Sequence, residues 1–204
     1  MKLDLAKSDK QYYTAPTDPV LRAFDTYGYA TVTGEGAPLG SEYTDAVGAL
    51  YRSVYGAKKL AKAANRDFVV PKLEGQWWVD SDDPPLSVPR EEWRWRMMIR
   101  LPDFVTAEMI TGAEYERFRE GDAIQVMHIG PYATEPETLA RMETFMTENN
   151  LTMNGRHHEI YLSDPRRSAT RTRTILRHPV RARSRQPMLP EDDAIPHISS
   201  ENVR

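Results

Sequence analysis

The run His157-His158-Glu159-Ile160-Tyr161-Leu162 concentrates more reactive side chains than any other part of this sequence. In an extended strand successive side chains point to opposite faces, so His157, Glu159 and Tyr161 share one face and His158, Ile160 and Leu162 the other. The aliphatic face is expected to pack on a helix, and the polar face to meet water or a polar cleft. A carboxylate flanked by an imidazole and a phenol can do chemistry. Glu159 could activate a water or stabilise positive charge, and Tyr161 could donate a hydrogen bond to an oxygen that gains charge. The alternative is an exposed sheet face with ordinary polar residues.

Aromatic side chains supply a second set of candidates. Trp77 and Trp78 are adjacent and so face opposite ways, one toward the core and one toward a surface or pocket. Trp93 and Trp95 share a face with Met97 and Ile99 and read mainly as core. Tyr51 and Tyr55 are one helical turn apart and share a stripe. Four tryptophans in a chain of 204 residues favour some exposed aromatic wall, and a flat apolar ligand would suit it.

Other chemistries find no support. There is no cysteine, which excludes disulfides, thiolate catalysis and Cys-based zinc sites. His157 and His158 point apart, and no His-x-x-x-His pair occurs, so no metal site is expected. No Gly-x-Gly-x-x-Gly fingerprint, Walker loop or nucleophile elbow is present, and no cofactor is expected. The net charge of -3 gives no global pull toward nucleic acid or anionic membrane. Arg166, Arg167, Arg171, Arg173, Arg177, Arg181, Arg183 and Arg185 do crowd one late segment. They suit either phosphate contact or a solvated strand pair and its exit tail. Without a recognition-helix pattern, nucleic-acid binding is not expected. No apolar run is long enough for a membrane helix, and the polar start Met1 to Lys10 lacks a secretory signal, which predicts a cytoplasmic protein.

These residues need elements to hold them. Residues 1–20 read as a polar arm with little packing, residues 21–180 as one domain, and residues 181–204 as a disordered tail. Strand signals cover 27–33, 67–79, 93–101, 123–129, 155–162 and 172–180, with an Asp164-Pro165 turn before the last. One helix should start at the cap Ser41 and run to about Ala63, and a second should cover Thr106 to about Arg119. A third should run to about Asn149 behind a Thr134/Glu137 capping box. The coarse result is an α+β chain of two β-α-β-β units, about 27–101 and 122–180, joined by a helix.

Several of these segments together closely resemble the GyrI-like small-molecule-binding family. They are the run from His157 to Arg167, His128-Ile129-Gly130-Pro131-Tyr132, Leu73-Glu74-Gly75-Gln76-Trp77-Trp78, and Trp93-Arg94-Trp95 leading to Met98-Ile99-Arg100. The resemblance spans roughly residues 10–180. It implies two pseudo-symmetric β-α-β-β modules around a central ligand cleft. In many relatives the domain is a sensor fused to a helix-turn-helix segment, which is not visible in this sequence. The Trp-Trp and His-His-Glu pattern resembles the cyclopropanoid cyclopropyl hydrolases, which open the strained ring of DNA-alkylating antibiotics of the yatakemycin and CC-1065 type. This implies a cofactor-independent hydrolase for detoxification or self-resistance, with Glu159 orienting and deprotonating water. Tyr161, Tyr55 or Tyr51 would donate to the carbonyl oxygen, and Trp77, Trp78, Tyr51, Tyr55, His128 and His157 would contact a flat aromatic substrate. A non-catalytic drug-sequestering or sensor module is the alternative, and inhibition of a gyrase-like protein a third reading. The sequence does not set the oligomeric state.

Overall fold

Stretches of alternating side chains dominate the chain, and strands dominate the structure. The computed structural model describes residues 2–38, 40–163 and 168–183. Its elements are α1 (Leu5–Ser8), α2 (Lys10–Tyr13), β1 (Val20–Glu35), α3 (Ser41–Ala63), β2 (Leu73–Trp78), β3 (Arg94–Leu101), β4 (Glu114–Ile129), α4 (Glu135–Glu148), β5 (Leu151–Met153), β6 (His157–Tyr161) and β7 (Arg173–Ala182). The strand order is β4-β1-β3-β2-β6-β7, and β4 pairs again with β7. Six antiparallel strands therefore close into a barrel, with β5 added along β7. β4 serves both neighbours because it is long. Residues 114–125 run along β1, and residues 123–129 run along β7.

The second helix expected from the sequence is absent. A short 3-10 turn, Ala107–Met109, is followed by β4 starting at Glu114. Glu and Arg favour helix in isolation, but tertiary contacts override that preference. Glu116 and Phe118 point into the barrel. Glu116 pairs with Arg96 at 2.8 Å and accepts from Thr31 at 2.9 Å, and Phe118 stacks on Tyr29 at 4.5 Å. The strand expected over 67–79 contracts to Leu73–Trp78. The first helix is capped by Gly40 rather than Ser41. At α4 the Thr134 hydroxyl donates to the Pro131 carbonyl at 2.8 Å, so the capping box does not form.

The N-terminal residues are the largest departure from expectation. Asp4 and Asp9 cap two single-turn helices, and Tyr12 and Tyr13 are buried inside the barrel with Phe24, Tyr29, Met98, Ile160 and Ile175. The inward face of β6 thus packs on this plug and not on a long helix. Outside the barrel, α3 covers Ala30, Trp95, Met97 and Ile99, while α4 covers Ile124, Val126, Leu176 and Val180. Residues 181–183, expected as the start of a tail, belong to the fold. Arg181 and Ala182 finish β7, the Arg183 amide donates to the Asn150 carbonyl at 2.8 Å, and residues 184–204 lie outside the described residues, as do 164–167 with the Asp164-Pro165 turn.

The charges inside the barrel pair off. His158 Nδ1 lies 2.7 Å from Glu120 and its Nε2 2.9 Å from Glu74. The Tyr12 hydroxyl meets the same Glu74 oxygen at 2.5 Å. Arg177 donates to Glu120 at 2.6 Å, to Gln125 at 2.9 and 2.7 Å, and to the Tyr12 carbonyl at 3.0 Å. Burial would discharge these groups, but the pairing outweighs it. Glu120 is held down to about 2 by His158 and Arg177, and His158 is held above its ordinary value by Glu120 and Glu74. Arg177 is wholly buried, and Arg171 and Arg173 lie at the opposite end of β7 from Arg181 and Arg183. The described arginines therefore do not form a single exposed patch.

Candidate functional site

Period two places His157, Glu159 and Tyr161 on the outer face of β6. β2 lies beside it, with Gly75 opposite Glu159 and Trp77 opposite His157. Trp77 Nε1 donates to the Tyr161 hydroxyl at 2.9 Å. Gly75 makes that bond possible, because a Cβ there would stand 2.8 Å from the Tyr161 hydroxyl and 3.0 Å from Trp77 Nε1. Tyr43, from the first turn of α3, lies over Trp77 with ring centroids 6.0 Å apart and planes at 20°. Trp93 meets Trp77 edge-on at 6.1 Å, and Tyr132, before α4, meets Tyr161 edge-on at 6.2 Å.

The first turn of α4 brings Glu135 to this cluster. Its Oε1 is buried with no hydrogen-bond partner. Burial, with the nearby Glu159 charge adding to it and Arg90 opposing, pushes the Glu135 carboxyl up to about 9. The Glu135–Glu159 pair therefore keeps a proton that a solvated carboxyl would have released, and can donate it. Tyr161 is raised well above the usual phenol range by burial and by Glu159, so it too stays protonated. Behind Glu159, His157 Nε2 lies 3.0 Å from its Oε1, and His157 Nδ1 lies 2.9 Å from His178 Nε2. Chemically, the cluster sets a pair of carboxyls next to a protonated phenol, between aromatic rings. Among the described residues no group of three or more His, Asp or Glu side chains could hold a metal, and no helix is long and apolar enough to cross a membrane.

Not every residue singled out by sequence joins this cluster. Glu159, Tyr161, Trp77 and His157 do. Tyr51 packs partly buried on α3 close to Tyr43, and Tyr55, 6.5 Å from Tyr51, is 57% exposed and stands farther out. Trp78 points to the other side of the sheet. There Arg156 covers its ring at 3.5 Å, beside a cavity of about 610 Å³ lined also by Glu35, Glu42, Asp80 and Arg94. His128 is buried, with Nδ1 3.0 Å from the Thr138 hydroxyl and Nε2 3.2 Å from the Pro131 carbonyl. It ties the turn into α4, and both ring nitrogens are engaged within the protein. The sequence reading passed over Glu135, Tyr43, Trp93 and His178. Trp93 was grouped with Trp95 as core. His178 is a lone imidazole in the Thr174, Leu176, His178, Val180 face of β7, a signal that could have drawn attention to it.

Comparison with known proteins accounts for this architecture. The model of the GyrI-like small molecule binding domain matches residues 17–179. A conserved protein of Listeria innocua is 34% identical, with a TM-score of 0.82 over 88% of this chain and 100% of its own. A Listeria innocua hydrolase is also 34% identical, with a TM-score of 0.80 over 89% of this chain and 100% of its own. The C-terminal domain of EcmrR, at 12% identity and a TM-score of 0.58, over 81% of this chain and 98% of its own, shares the fold. No curated protein matches. The mixed α+β barrel and the match over most of its length place the chain in the GyrI-like small-molecule-binding domain family.

Proposed function

We propose that this protein is a hydrolase that adds water across the strained cyclopropane of flat, aromatic DNA-alkylating compounds of the yatakemycin and CC-1065 type, and so detoxifies them. The observation that carries this reading is Glu159 set beside the buried Glu135 carboxyl, whose Oε1 has no hydrogen-bond partner, and beside Tyr161 among aromatic rings. The hydrolase name of the Listeria innocua relatives at 34% identity supports it further. The order β1-α3-β2-β3 followed by β4-α4-β5-β6-β7, in which the short β5 only adds along β7, supports reading residues 21–180 as two like halves with the site between them.

The chemistry follows from the proton inventory. In these compounds the cyclopropane is conjugated to a dienone. Glu159 accepts a proton from water as its oxygen bonds to the ring methylene. The carbon–carbon bond breaks, and its electron pair moves through the conjugated system to the carbonyl oxygen. That oxygen takes a proton from Glu135 or Tyr161, and the product is a phenol. Glu159 then returns its proton to the donor through solvent, and no redox step or cofactor enters. Tyr43, lying over the buried Trp77, and Tyr132 beside Tyr161 offer ring faces to the flat substrate. Strain release lowers the barrier already, so proton-transfer help of roughly 10²–10⁴-fold suffices.

One observation favours a second reading. Paired carboxylates among aromatic rings also suit a flat cation held without reaction, as in a sequestering or sensing module. Mass spectrometry of a CC-1065-type compound incubated with the purified protein separates the two. Many equivalents of a water adduct per protein establish hydrolysis. Tight binding with the compound recovered unchanged contradicts it and leaves a binding module.

A further inference from the structure

Glu159 is backed by two imidazoles in series. One residue beyond the register that sets His158 opposite Arg177 across β6 and β7, His157 meets His178. Their rings meet edge-to-face, with centroids 4.9 Å apart and planes at 83°. His157 Nε2 is 3.0 Å from Glu159 Oε1, His157 Nδ1 is 2.9 Å from His178 Nε2, and His178 Nδ1 is buried with no partner.

These contacts fix where the protons sit. A neutral imidazole has one N–H and one acceptor nitrogen. Burial, and then the neighbouring His157, hold His178 down to about 3, so it is neutral. A buried N–H with no acceptor is rarely tolerated, which leaves Nδ1 of His178 bare and puts its proton on Nε2. That N–H donates to His157 Nδ1. His157 therefore carries its own proton on Nε2 and donates it to Glu159 Oε1. One carboxylate oxygen is thereby pinned from the His157 side, while the Tyr161 hydroxyl donates to the same carboxylate from the other.

We infer that His178 is a positioning residue: by donating to His157 Nδ1 it selects the His157 tautomer that orients Glu159 toward the cluster. This rests on reading Glu159 as the base of the proposed hydrolysis. With His178 gone, His157 is free to carry its proton on Nδ1. Its bare Nε2 would then face the Glu159 oxygen lone pair to lone pair, and the carboxylate would lose its fixed orientation.

The test reads the tautomer first and activity second. In the free protein, 15N NMR of the imidazole rings should show His157 protonated on Nε2 and bare on Nδ1. His178→Phe should shift His157 toward a mixture of tautomers. It should also lower kcat on a CC-1065-type compound by about ten- to a hundredfold, the usual scale for losing an orienting partner, with KM changed far less. His178→Gln keeps an N–H donor and should retain the tautomer, with kcat within about threefold of wild type. Should the Phe variant fail to fold, the wild-type and Gln spectra decide. His157 found with its proton on Nδ1 in either protein overturns the inference, as does a folded Phe variant with unchanged tautomer and kcat. A wild-type protein that hydrolyses nothing defeats the hydrolase reading, while the tautomer measurement still decides the role of His178.

Discussion

The two faces of β6 treat charge in opposite ways. Inward, His158 sits between Glu74 and Glu120, and Arg177 completes the set, so each carboxylate there meets a cation. Outward, Glu159 meets His157 but also faces a second carboxyl, Glu135, whose charge would repel its own; an oxygen without a partner is common to both faces, Oε1 of Glu135 here and Oε1 of Glu74 inside. A buried group with opposite-charge partners gives up reactivity for structure. A buried acid left unpaired is costly to hold and is the kind of group a protein keeps for a ligand or a reaction. The inner face therefore locks the N-terminal plug and the register of β6, and that register aims the outer face.

Breaking the inner face should cost the most. Arg177→Leu leaves Glu120 buried with one cation fewer and should destabilise the protein by about 3–5 kcal/mol in chemical denaturation. The pH dependence has a defined sign. Glu120 falls from 4.5 to about 2 on folding, so its contribution is present above pH 4.5 and is lost as pH falls toward 2. His158 is raised, so its contribution is full below its ordinary value and fades as pH climbs through the raised one. Glu120→Gln should flatten the acid limb of a stability-against-pH curve. An unchanged limb would mean that the inner pairs are not what binds the barrel together.

The outer face should respond with the opposite sign. Glu135 is raised from 4.5 to about 9 on folding, so the folded state holds a proton that the unfolded state has released, and stability falls as pH rises across that window. The limiting slope is on the order of 1 kcal/mol per pH unit. Glu135→Gln removes this slope, and its melting temperature should gain on that of wild type between pH 5 and pH 9. Wild-type kcat/KM should fall above about pH 9 as the acid is lost. A variant that tracks wild type at every pH would contradict a proton on Glu135.

The smallest effect on stability belongs to Gly75→Ala. Its Cβ would press on the Tyr161 hydroxyl at 2.8 Å and displace it from Trp77. Turnover should drop by about tenfold, on the scale of a misplaced hydrogen-bond donor, while stability changes by about 1 kcal/mol or less. An equal loss in both would make the Trp77–Tyr161 bond a packing feature rather than part of the site.

These contrasts also explain what the sequence could reveal. The alternation across His157 to Tyr161 was legible because strand periodicity is local, and so was the opposite orientation of Trp77 and Trp78. Glu135 was not. Nothing in Glu135-Pro136-Glu137 says that one carboxylate is buried against β6 and the other is exposed, because the approach of α4 to the barrel decides it. Tyr12 was hidden for the same reason. It lies in a polar stretch of single-turn helices, and its burial depends on partners at Tyr29, Glu74 and Arg177. Residues 114–119 misled because Glu and Arg on a strand look helical until Glu116 is seen to meet Arg96 inside a barrel.

The proposed hydrolysis stands on Glu159 being a working base and not another structural carboxylate. Multiple-turnover kinetics of Glu159→Gln on a CC-1065-type compound, followed by mass spectrometry in 18O-labelled water, test it most directly. Wild type should form an 18O-labelled water adduct over many turnovers. The variant should stay folded, still bind the compound, and lose roughly 10²–10⁴-fold in kcat. A folded variant that turns over at the wild-type rate would contradict it.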